Sequence, residues 1–267
     1  MFDRWLGLIL MLVTLGAGAA HAQTPATVRL DELTWPELKA RIAAGTTTVI
    51  VPIGGTEQSG PHMALGKHNL RAALLAERIA QALGNAIVAP VVAYVPEGGV
   101  DPPTGHMRFP GTISVPAPAF EAVLEGAARS LRRAGFRDIV MLGDHGGYRT
   151  SLAAASKRLE REWATAGVRV HVPAAYYRAA EQEFAATLAA RGYRVEEIGT
   201  HAGLADTSLT LAVAPALVRV DRMRATPSAA DGVNGDPRRS SAELGAIAAD
   251  AIVADTVAAI RKATAPR

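Results

Sequence analysis

Residues 46–55 read TTTVIVPIGG, a β-branched apolar run that stops at Gly54-Gly55. The pattern predicts a strand buried on both faces that delivers the chain into a loop. Apolar residues at Leu70, Leu74, Leu75, Ile79 and Leu83 follow with helical spacing and stop at Gly84. A second strand-like run, AIVAPVVAYV, spans 86–95. Phe120, Val123, Leu124, Ala127 and Leu131 mark a helix ending at Gly135, and RDIVMLGD (137–144) is a third strand. A helix with Leu152, Leu159 and Trp163 inward leads to a fourth strand, VRVHVP (168–173), and a helix from about Tyr176 to Arg191 follows. Upstream, Thr34 can cap a short helix with Pro36 in its first turn. Downstream, Ser240 and Glu243 read as a capping box for a terminal helix with Leu244, Ile247, Ala251 and Ile252 inward. Strand–helix alternation of this kind predicts an α/β fold, three-layer αβα, with a mostly parallel sheet.

The chain has 267 residues, 49% of them apolar and 20% charged, which excludes wholesale disorder. No repeat or linker interrupts residues 23–267, which read as a single domain. A net charge of +3 and an aromatic content of 5% without basic–aromatic interleaving argue against a nucleic-acid partner. With no Cys, disulfides and thiolate chemistry are excluded. The first 22 residues read as a signal peptide: Arg4, the apolar run Leu6 to Ala19, then Ala20-His21-Ala22 before a cleavage point at Gln23. The mature chain is expected to be exported, periplasmic or secreted, and free of the membrane after cleavage.

Three polar clusters fall where sites form in such sheets, beyond the carboxyl ends of the strands. The first is Gly54 to His62 with Gly66-Lys67-His68-Asn69. The second is Gly143-Asp144-His145-Gly146-Gly147-Tyr148, and the third runs from His201 to Ser208. His62, His68, His106, His145 and His201 all lie in these clusters or in the long Pro/Gly-rich loop 96–118, whose length marks it as functional. His with carboxylate suits Zn, Mn or Fe, and a catalytic site needs about three protein ligands plus an open position. Glu57, His68, His145 and Asp206 are the metal-ligand candidates. Asp206 before Thr207-Ser208 also reads as a helix cap, and Ser59 with His62 as a nucleophile and base. Walker A, G-x-G-x-x-G, H-E-x-x-H and G-x-S-x-G signatures are missing.

At these residues the chain resembles the creatininase family. The family's first motif, P-x-G-x-x-E-Q-H-G-P-H-L-P-x-x-T-D, is followed from Pro52 to His68. H-x-x-F-P-G-T appears as His106 to Thr112, N-x-H-G-G-N in variant form as Gly143 to Tyr148, H-A-G-x-x-E-T-S as His201 to Ser208, and G-V-x-G-D-P as Gly232 to Pro237. The resemblance implies an αβα domain, often a homo-oligomer and possibly a hexamer. It implies hydrolysis of a non-peptide C–N bond in a small amide, with one or two divalent ions. Glu57 and His145 match metal ligands, Asp206 stands for a ligand Glu, and His201 matches a histidine that shuttles protons. Glu57 therefore counts among both the catalytic groups and the ligands.

The departures are Ser59 for a ligand His, His68 for an Asp that bridges two ions, Tyr148 for Asn, and Asp206 for Glu. An imidazole cannot bridge two ions as a carboxylate can. The expectation is one divalent ion per subunit rather than two, held by Glu57, His68, His145 and Asp206. His201 is then expected to protonate the leaving nitrogen. Asp144 is a candidate to orient His145 or to cap the next helix, and Tyr148, Ser59, His62 and His106 are candidates for supporting or substrate contacts. The altered ligands and the export signal point away from creatinine toward another amide, such as a lactam, formamide or ureido compound. The rival reading is an exported non-catalytic small-molecule-binding protein with a decayed metal site.

Overall fold

The computed structural model describes residues 26–227 and 229–265. The signal-peptide reading at 1–22 lies outside the described residues. β1 (Thr48–Ile53) pairs in parallel with β2 (Ala86–Val88) on one side and β3 (Asp138–Gly143) on the other, and β4 (Arg169–His171) pairs in parallel with β3. The order is β2-β1-β3-β4. β1 and β3 are buried throughout, as uninterrupted apolar runs in a covered parallel sheet require.

Period-two alternation sends successive residues of each strand to opposite layers. Val49, Val51, Ile53, Ile139 and Met141 pack on Phe120 and Leu124 of α3 (Ala117–Ala134) and on Leu152 and Leu159 of α4 (Arg149–Glu162). The short α1 (Trp35–Ala43) borders this layer through Leu38 and Ile42. Ile50, Val140 and Leu142 face Leu75 and Ile79 of α2 (Lys67–Leu83) in the other layer. That second layer includes α5 (Ala174–Tyr177), α6 (Phe184–Ala190), α7 (Val195–Ile198) and α8 (Leu204–Val213). After α9 (Val220–Met223), α10 (Ala242–Thr264) completes the second layer.

Three local expectations are corrected. The 86–95 run is a strand only to Val88, because Pro90 has no N–H for the ladder; the chain rejoins the sheet at Val92, whose N–H donates to the Pro52 carbonyl. The 176–191 helix is α5 and α6 joined by π-helical Arg178–Glu183. The terminal helix is capped by Ser241 rather than Ser240, its hydroxyl accepting from the Leu244 N–H, and Ile247 and Ala251 are half-buried while Leu244 and Ile252 are buried.

α10 crosses α8 closely. A Cβ on Gly245 would lie 1.8 Å from the Ser208 carbonyl oxygen. Helix propensity alone would favour Gly245→Ala by about 1 kcal/mol. The clash is with backbone, so α8 would have to shift. Gly245→Ala is expected to lower stability by about 1–3 kcal/mol, read by urea unfolding. A neutral or stabilising outcome would contradict this packing.

Candidate metal centre

Ile53 and Gly143 are paired at the carboxyl ends of the two central strands. The chain beyond Ile53 reaches Glu57, and the chain beyond Gly143 presents Asp144 and His145. Gly54 allows α2 to approach, since a Cβ there would lie 2.6 Å from the Asn69 Cα. The first turn of α2 then delivers Lys67 and His68, with Arg71 one turn on. His106 comes from the 3-10 turn Gly105–Arg108 and Asp206 from the start of α8, with His201 just before it.

Glu57 is the hub, with its side chain 0% exposed. Its Oε1 lies 2.9 Å from His68 Nε2, and 3.7 Å from both Lys67 Nζ and His201 Nδ1. Its Oε2 lies 3.3 Å from His106 Nε2 and 3.5 Å from His145 Nε2, yet makes no hydrogen bond among the described residues. Burial alone would raise its pKa; the His68 hydrogen bond and the Lys67 charge outweigh burial and hold it ionised. The donor atoms of Glu57, His68 and His145 converge within 4.8 Å of one another, and those of Glu57, His106 and His201 do the same.

His68 Nδ1 lies 2.6 Å from Asp144 Oδ2. Asp144 thus orients His68, rather than His145 as the sequence suggested. With Nδ1 on Asp144, His68 directs its Nε2 at a Glu57 carboxylate oxygen. The proton shared across that 2.9 Å is the one a divalent cation would displace, after which Nε2 and the carboxylate would offer it lone pairs together. Burial, then the His68 ring, push the His145 pKa down to about 3, which keeps its ring neutral as ligation requires.

Asp206 is placed differently from the ligand reading. Its Oδ2 takes the Lys67 ammonium and the Ala202 N–H, and its Oδ1 lies 2.8 Å from Arg71 Nη1. Burial opposes ionisation there, but Lys67 and Arg71 hold its pKa well below the carboxylate range. It lies outside both convergent groups. Tyr148 is a brace off the cavity. Its hydroxyl sits 2.7 Å from the Ile53 carbonyl oxygen and accepts the Asp144 and His145 N–H groups at 3.0 Å. His62 is buried on Thr207, its Nε2 2.9 Å from Oγ1, and Ser59 Oγ is buried with no partner among the described residues.

Glu97, Arg71 and Gln58 belong to the site and were given no part by sequence reasoning. The Glu97 side chain is 0% exposed, 3.6 Å from His145 Nδ1, with both oxygens lacking hydrogen bonds among the described residues. Burial and then the Glu57 charge push its pKa up. The long 96–118 loop that carries it was the available signal. For Arg71 the signal was cationic residues at 67 and 71 in the first turns of a helix, against its dipole and so in need of carboxylate partners. Tyr177, Ala180, Ala185 and Ala189 help wall a cavity of about 980 Å³ that opens from Lys67, His68, His145 and His201.

The creatinine amidohydrolase family model matches residues 31–260. The chain belongs to the creatininase family. A creatinine amidohydrolase of Pseudomonas putida is 30% identical over 223 residues, covering 81% of this chain and 85% of the relative. A mycofactocin precursor peptide peptidase of Mycolicibacterium smegmatis is 34% identical over 206 residues, covering 74% and 77%. The crystal structure of a creatininase superposes with TM-score 0.76 at 26% identity, covering 91% of this chain and all of that one. A mutant creatininase of Zn-Zn type gives 0.75 at 26% identity with the same coverage. The three-layer parallel fold and a hydrolase's metal-capable cluster are thus those of this family, and the chain is an enzyme.

Proposed function

We propose that this chain is an exported hydrolase that uses one divalent ion, Zn, Mn or Fe, to cleave a C–N bond in a small amide. The observation that carries the reading is His68 Nε2 facing Glu57 Oε1 at 2.9 Å with His145 converging on the same carboxylate. The orphaned Glu57 Oε2 fits an ion as well. Glu57, His68 and His145 would hold it. Bound there, a divalent ion supplies Lewis acidity and brings the pKa of a water toward neutrality.

The chain's own residues do the rest. Asp144 fixes the His68 tautomer, and Tyr176, whose hydroxyl donates to Asp144, braces that carboxylate. His201 Nε2 donates to the Gln58 carbonyl at 3.0 Å, which leaves Nδ1 free toward Glu57. Burial, reinforced by Lys67, pushes the His201 pKa down to about 4, so the ring starts neutral at pH 7. It therefore first accepts the attacking water's proton at Nδ1 and then passes it to the leaving nitrogen, instead of beginning as the acid that sequence suggested. The cavity is at the upper end of the usual ligand range of about 300–1,000 Å³, and its alanine wall favours an amide with an apolar substituent larger than creatinine. Export is supported by the apolar run at 6–19 and Ala20-His21-Ala22. Assembly into a homo-oligomer, as the family resemblance implies, is part of the same reading.

The test is elemental mass spectrometry on the chain beginning at Gln23, followed by an amide-library screen with and without chelation. Bound divalent ion, turnover abolished by chelation and restored by the ion, and a His201→Ala variant that keeps the ion but loses turnover about 100-fold are expected. No ion after incubation with Zn, Mn and Fe, with ligand binding intact, would replace this reading with a non-catalytic binding protein. Unchanged turnover in His201→Ala would remove its proton role.

A further inference from the structure

Lys67 is not explained by the ligand set. It stands where the family motif has Thr, directly before His68 in place of the bridging Asp. Its side chain is 1% exposed, and its ammonium hydrogen-bonds Asp206 Oδ2 and lies 3.7 Å from Glu57 Oε1. The same oxygen is 3.7 Å from His201 Nδ1, within the second convergent group of Glu57, His106 and His201. A relative of this fold is known in a Zn-Zn form. Here Asp206, which stands where the family motif has a Glu, is occupied by Lys67 and Arg71. Ser59, where the family motif has a histidine, has a buried hydroxyl with no partner among the described residues.

Formal charge points the same way. Glu57, Asp144 and Asp206 bring three carboxylates to Lys67 and Arg71. One divalent ion already more than closes that difference of one charge. A second would stand beside the ammonium with its charge uncompensated in a buried place, which is costly.

We propose that the Lys67 ammonium takes the place of a second metal ion, so that the centre pairs one divalent ion at Glu57, His68 and His145 with a cation built into the chain. This rests on the metal-dependent reading above. Lys67 lines the cavity. Its charge is fixed there at any metal concentration, so a single binding event completes the centre.

The experiment titrates Zn²⁺ into the chelator-treated chain from Gln23 by calorimetry, with elemental mass spectrometry after desalting. Wild type is expected to saturate at about one Zn²⁺ per chain. Lys67→Met, which keeps the length and loses the charge, is expected to take up a second, weaker equivalent, made tighter by adding Ser59→His. Lys67→Arg keeps the charge and is expected to remain at one. Two ions in wild type would overturn this proposal and leave the metal-dependent reading standing, as would a folded Lys67→Met with Ser59→His that still saturates at one. No ion in any of these proteins would overturn both. Should Lys67→Met not fold, Lys67→Gln with Ser59→His takes its place in the same titration, and two ions in wild type or Lys67→Arg overturn the proposal in any case.

Discussion

A Glu57→Gln variant is expected to lose its divalent ion while keeping its fold. Glu57 is the member shared by both convergent groups, and its two oxygens between them face His68, His106, His145 and His201. Glutamine keeps the shape but removes the charge and replaces one oxygen with an amide nitrogen that has no lone pair to offer. Affinity should therefore fall by more than the roughly 10–100-fold that loss of an outer partner to a metal ligand typically costs. Stability of the metal-free protein should change little. Glu57 Oε2 makes no hydrogen bond among the described residues, and Glu97 is relieved of a like charge. Competition with a chelator of known affinity measures the first expectation, and thermal unfolding of the metal-free protein the second. A variant that retains the ion as tightly as wild type would count against Glu57 as the hub.

The second large effect is on stability. Arg71 is 5% exposed and lies across the base of the centre, with Nη2 2.8 Å from Asp144 Oδ2 and Nη1 2.8 Å from Asp206 Oδ1. It holds together groups from α2, the end of β3 and α8. Arg71→Ala leaves the buried Asp144 with only His68 and Tyr176 and the half-buried Asp206 with Lys67 and the Ala202 N–H. Breaking a buried pair in this way costs about 3–5 kcal/mol. Arg71→Lys should recover only part of it, because a lysine cannot fork between two carboxylates. Urea unfolding of the metal-free proteins measures both. A loss below about 1 kcal/mol for Arg71→Ala would mean that water or Lys67 replaces the guanidinium without cost.

Residues adjacent in sequence often play separate parts at this centre. Glu57, His68 and His145 could be read ahead of the fold because imidazole and carboxylate clustered after apolar strands have few other uses. Asp206 was read as a ligand by its place in a motif, and the fold gives it to two cations instead. Nothing in the local sequence of α8 reports that the first turns of α2 lie against it. Likewise Asp144 neighbours His145 in the chain, yet it is His68, 76 residues away, whose ring it holds. Tyr148, in the place of an asparagine near the site, points its hydroxyl back to the end of β1, where the Ile53 and Gly54 carbonyls lie beside the paired end of β3.

Sequence by itself determined the layered parallel fold, since apolar periodicity is written in local order and each strand or helix needs a covered face. It also marked Glu57, His68 and His145 as residues whose side-chain types suit a metal ion, and the fold brings these three together. Tertiary structure alone decided which carboxylate meets which cation. Pairing energy depends on separation and burial, and these are set only when α2, α8 and the ends of β1 and β3 pack together. That packing gave Lys67 and Arg71 to Asp206 and left Glu57 between two groups of histidines.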